Sequence, residues 1–64
     1  MQLGLKVAIL RSGKSQRQVS AEAGLSESRL SSIVRGWVRP LPDERAAIAR
    51  ALERPERDLF GAER

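Results

Sequence analysis

Gln16-Arg17-Gln18-Val19-Ser20-Ala21-Glu22-Ala23-Gly24-Leu25-Ser26-Glu27-Ser28-Arg29-Leu30-Ser31-Ser32-Ile33-Val34-Arg35-Gly36 is the stretch that decides how this chain folds. It opens on a capping-box pattern, with Ser15 at the N-cap and Gln18 at the third helical position. The spacing predicts a short helix from Gln16 to about Ala23, with Val19 and Ala23 facing inward. Gly24 supplies the left-handed residue that ends this helix and turns the chain, and Leu25 plugs the turn. Ser26 then caps a further helix, Glu27–Arg35, whose apolar side is Leu30, Ile33 and Val34 and whose stop is Gly36. Two short helices can cross steeply and still pack only if the contact residues are apolar and the residue at the crossing is small, which Ser20 is.

Helical signals continue on both sides. Leu3, Val7 and Leu10 follow the i, i+4, i+7 rule and are expected to form the inner face of a first helix, Leu3–Ser12, stopped at Gly13. Leu5 and Ile9 fall on a different face, suited to packing under a loop or the N-terminus, or to a subunit contact. Residues 37–41 read as a loop, in which Trp37 either covers the end of the preceding helix, the expected role, or lies against a bound backbone. Pro42 fits the first turn of a fourth helix, where its missing N–H costs nothing, and Asp43 and Glu44 complement that helix's dipole. Ile48, Ala49 and Leu52 give it an inner face. Pro55 breaks the chain before a last turn, Glu56–Phe60, whose Leu59 and Phe60 are expected in the core, with a dimer contact as the alternative. Strand alternation and hairpin dipeptides are lacking, so the expected fold is all-α: one domain over residues 1–64, a compact bundle of four to five short helices.

With 64 residues and neither Cys nor His, the chain has no disulfide or thiolate–zinc staple and no imidazole base. No pair of carboxylates is set in an apolar context, so an enzyme is not expected, and neither is a metal or cofactor. No apolar run approaches the roughly 20 residues of a membrane span, and the start Met1-Gln2-Leu3-Gly4 lacks signal-peptide features, which points to a cytoplasmic protein. Residues 1–41 carry seven cations against two acids, and residues 42–64 carry five against six. Such asymmetry suits a one-sided anionic partner such as nucleic acid, or serves solubility.

Residues 16–36 resemble the helix-turn-helix of the Cro/CI-type family, also called the xenobiotic-response-element type, which includes phage repressors and many bacterial transcription regulators. Ala51-Leu52 and Asp58-Leu59-Phe60-Gly61 resemble that family's closing helices. The resemblance implies a lambda-repressor-like DNA-binding domain, with residues 16–35 as the helix-turn-helix and Gln16 as a phosphate contact. The chain departs from the family pattern in four places. The link between the first two helices is about two residues short, Ser20 replaces the usual Ala, Arg29 replaces a small polar residue, and Glu53-Arg54 replaces a Gly–apolar pair.

Winding Glu27–Arg35 at 100° per residue gathers Glu27, Ser31, Ser28 and Ser32 on one arc, opposite Leu30, Ile33 and Val34. A face merely exposed to water would more often carry Lys and Glu; small serines instead allow close approach to base edges. Ser28, Ser31 and Ser32 can donate to or accept from several bases, and Glu27 can accept from cytosine N4 or simply favour the helix N-terminus. Arg29 flanks the arc and can reach guanine or a phosphate. Arg17, Ser26, Arg35 and Arg39 join Gln16 as phosphate candidates. The expected partner is double-stranded DNA, with a homodimer on a pseudo-palindromic operator and repression as the outcome. The alternative is a protein-interaction module, such as an antitoxin, meeting a toxin through the Leu5/Ile9 face and the mixed-charge tail.

Overall fold

The caps expected from sequence set the helix boundaries. In the computed structural model, which describes residues 2–61, the chain forms α1 (Leu3–Ser12), α2 (Gln16–Ala23), α3 (Glu27–Arg35), α4 (Pro42–Leu52) and α5 (Glu56–Phe60). No strand occurs among the described residues. Met1 and residues 62–64, with the tail charges Glu63 and Arg64, lie outside them. Ser15 Oγ accepts from the Gln18 N–H at 3.0 Å, and Ser26 Oγ accepts from the Arg29 N–H at 3.0 Å. Only the serine half of the expected capping box forms on α2, because the Gln18 side chain donates instead to Glu22 at 3.3 Å.

Gly24 adopts φ 74°, ψ 25°. Its N–H donates to Ala21 O at 3.2 Å, and the Leu25 N–H donates to Ser20 O at 2.8 Å, so the chain reverses while satisfying the last carbonyls of α2. The crossing closes over Val19, Leu30 and Ile33, all fully buried. Ser20 is buried beside them, and its hydroxyl donates to Arg17 O at 2.7 Å, which removes the cost of a hydroxyl where the related family has Ala. Helix α4 packs against α2, and α5 against α1 and α4. Ile48, Leu52, Leu59 and Phe60 thereby complete one core, against which Leu25 and Val38 are half-buried.

Helix α1 is rotated from the expected orientation. Leu5 and Ile9 enter the core, whereas Leu3 and Leu10 are 67% and 71% exposed and Val7 is also at the surface. The cause is Gly4: a Cβ there would lie 2.6 Å from Asp58 O, so α5 lies against the glycine backbone. Gly4 and Ala8, at i and i+4, put a small surface beside Asp58 of α5, and with α5 on that side Leu5 and Ile9 point inward. Counting apolar residues favours the triple Leu3, Val7, Leu10 and is blind to that small surface. The subunit-contact alternative for Leu5 and Ile9 is thereby removed, since both lie in the core of their own chain.

Helix α4 ends at Glu53 with φ 55°, the one non-glycine residue of positive φ among the described residues. This is the position where the related family carries glycine, and a side chain there costs about 1–2 kcal/mol.

Two outcomes follow for urea unfolding. Leu5→Ala should cost about 2–5 kcal/mol by leaving a cavity, while Leu3→Ala should stay within about 0.5 kcal/mol of the parent; similar losses for both would contradict the orientation of α1. Glu53→Gly should stabilise by about 0.5–1 kcal/mol, the relief of left-handed strain less the entropy gained by the unfolded chain.

Candidate nucleic-acid interface

Helix α3 buries Leu30, Ile33 and Val34 and turns its polar arc outward. Glu27 and Ser28 are exposed, and Ser31 and Ser32 are half-buried at the edges of the arc. Ser26, exposed at the N-cap, uses one acceptor position on its own helix and keeps its hydroxyl proton free to donate outward.

Arg29 is committed elsewhere. Its Nε and Nη2 donate to the two carboxylate oxygens of Glu44 at 2.9 and 2.8 Å, a bidentate pair joining α3 to α4. The same Glu44 Oε1 accepts from the Leu41 N–H at 2.8 Å, so one carboxylate caps α4 and holds α3. The Arg29 hydrogen bonds, with that backbone N–H second, hold the Glu44 carboxyl below its ordinary range. The pair uses the one hydrogen of Nε and one of Nη2, so Nη1 and the second Nη2 hydrogen remain to donate while Glu44 fixes the plane of the guanidinium. Lys14 is also spent internally, donating to Glu22 at 2.7 Å and to Ala51 O at 2.8 Å.

Among the described residues, Lys6, Arg11, Arg17, Arg35, Arg39, Arg50, Arg54 and Arg57 have no ion-pair partner. Packing of α1 against α3 brings Lys6 of α1 and Arg35 of α3 to one cleft with the start of α2. An open cleft of about 480 Å³ is lined by Lys6, Gln16, Ser31, Val34, Arg35 and Trp37. It brings the phosphate candidates Gln16 and Arg35 together with the base candidate Ser31. Arg17 is exposed in the first turn of α2, outside the cleft lining. Arg39 lines a second cleft of about 330 Å³ with Gln2, Pro40 and Arg45, on which Trp37 also borders.

Lys6 was missed from sequence as a member of this surface, and Trp37 was placed at it only as the alternative to covering α3. Lys6 sits ten residues before Gln16 on another helix, and only tertiary packing brings it alongside. Trp37, expected to cover the end of α3, is 71% exposed, and the Arg35 guanidinium lies 5.0 Å from its ring centroid. That cation–π contact holds Arg35 at the cleft. The signal was present as an aromatic residue two positions after a cation at a helix end.

A family model described as a helix-turn-helix domain matches residues 2–60. Neither a curated protein nor a solved structure matches the chain.

The Glu44 pair carries a pH signature. Its folded carboxyl pKa is depressed, so its stabilisation is complete above the unfolded value of about 4.3 and is lost as pH falls through the lower folded value. The urea midpoint should therefore exceed that of Glu44→Gln at about pH 6, and the gap should narrow at about pH 3. A gap independent of pH would show that the pair does not contribute.

Proposed function

Because this chain belongs to the helix-turn-helix DNA-binding family, we propose that it is a sequence-specific transcriptional regulator laying α3 in the major groove of double-stranded DNA. The observation carrying this reading is the cleft that sets Lys6, Gln16 and Arg35 beside the small polar arc of α3. A helix in the groove needs small side chains on its leading face and charge on its flanks, where the phosphates run. Ser28, Ser31, Ser32 and Glu27 make the base-facing set. Gln16, with the free N–H groups at the start of α2, holds a phosphate oxygen. Lys6, Arg17, Arg35 and Arg39 neutralise others, and Ser26 donates from the N-cap.

Since three of the four base-facing residues are serines, each tolerant of several bases, specificity per module is modest. A pair of modules remedies that. The domain's longest extent is 29 Å, which fits copies on half-sites one helical turn, about 34–36 Å, apart. We therefore read the protein as a homodimer on a pseudo-palindromic operator, and as a repressor, because occupying the groove excludes other proteins from it. The alternative of a toxin partner loses the apolar half of its site, as Leu5 and Ile9 are core, and keeps only the mixed-charge tail.

Selection of sites from random duplexes tests this directly and should return an inverted repeat with half-sites about one turn apart. Affinity should fall with salt at about 0.9 log units per log unit for each phosphate neutralised. Lys6→Ala and Arg35→Ala should each reduce that slope by about one without changing the selected motif. Ser28→Ala with Ser32→Ala should change the motif and leave the slope intact. Binding insensitive to salt would end the DNA reading, and an unchanged motif in the serine variant would remove α3 from the groove.

A further inference from the structure

Helix α1 carries a second surface that groove binding leaves unused. Leu3, Val7 and Leu10 share one face, opposite the buried Leu5 and Ile9, and are 67%, 37% and 71% exposed. On the helical wheel this stripe is flanked by Lys6 on one side and Arg11 on the other, and α1 contains no acidic residue. The stripe stands as a ridge between two hollows. One, of about 390 Å³, is lined by Leu3, Val7, Ala8, Arg11, Arg54 and Asp58. The other, of about 210 Å³, is lined by Ile9, Leu10 and Lys14 among others. A ridge between grooves is the surface that a neighbouring helix packs against.

We propose that this face docks an amphipathic helix of another protein, one whose apolar stripe is bordered by carboxylates. Charge decides the occupant. A second copy applying the same face would set Lys6 and Arg11 against another Lys6 and Arg11, and like charges across an interface are disfavoured. An anionic bilayer is flat, whereas this surface is a ridge between two hollows. A helix with flanking Glu or Asp residues satisfies both the apolar ridge and its cationic borders. Three apolar side chains offer much less than the roughly 800 Å² per partner of a standard interface, so the contact is transient, with micromolar rather than nanomolar affinity. This proposal is independent of DNA binding, although Lys6 borders both surfaces.

The test uses the full chain and a synthetic amphipathic helical peptide with leucines at i, i+3, i+4 and i+7 and glutamates on both flanks. A control peptide carries lysine for each glutamate. Amide NMR titration should show the acidic peptide binding, with the largest shifts from Leu3 to Arg11, and the lysine peptide at least tenfold weaker. Val7→Ser with Leu10→Ser, both at the surface, should weaken binding at least tenfold with an unchanged thermal midpoint and unchanged DNA affinity. Equal binding of both peptides, no binding, or binding indifferent to the double substitution overturns the proposal. So does self-association in sedimentation that the double substitution abolishes, which would make the occupant a second copy. Attachment to phosphatidylserine vesicles without peptide binding would likewise assign the stripe to a membrane surface.

Discussion

Helices of eight and nine residues have to be held at a fixed angle across only three intervening residues, Gly24, Leu25 and Ser26. Neither helix is long enough to persist alone in water, so each exists because the other covers its apolar side. The left-handed glycine makes the reversal possible, and the small, internally satisfied Ser20 lets the backbones approach. Val19, Leu30 and Ile33 then leave no space for water at the crossing. Once that angle is set, the outward arc of α3 is fixed as well. Helices α1, α4 and α5 complete the core behind it. A core this small depends on each contact, which is why a single rotation of α1 matters.

Charge is distributed with the same economy. The cation within the body of α3, Arg29, is tied to Glu44, and the cation entering α2, Lys14, is tied to Glu22 and Ala51. Of the cations left without an ion-pair partner, Lys6 and Arg35 lie in the cleft beside the α3 arc. In the proposed complex, contacts that supply electrostatic affinity and those that distinguish bases are carried by different side chains. Glu44 links the arrangement to the scaffold, because the carboxylate that caps α4 also fixes the flank of α3.

What could be read from sequence was whatever local chemistry decides. Ser15, Ser26, Pro42 and the glycines after α1, α2 and α3 mark the helix ends, and the inward faces of α2 and α3 follow from spacing within one turn. The rotation of α1 was not legible, since it depends on Gly4 meeting a carbonyl of α5 more than fifty residues away. The Arg29–Glu44 pair was not legible, because the partner lies fifteen residues on, in a helix whose Glu44 was already explained by the dipole. Lys6 counted only toward the N-terminal charge, because its neighbours at the cleft come from α2, α3 and the residues after α3. Trp37 was misjudged for the opposite reason: large aromatics are usually covered, and this one lies at the surface beside the Arg35 guanidinium.

That indole has an optical consequence. The chain has a single Trp and no Tyr, so its ultraviolet fluorescence comes almost wholly from one ring, open to water and bordering the Lys6–Gln16–Arg35 cleft. The molecule therefore carries its own label, placed by folding beside the surface of interest. Changes in its emission colour and quenching report the polarity and access of that cleft without a dye or an engineered residue.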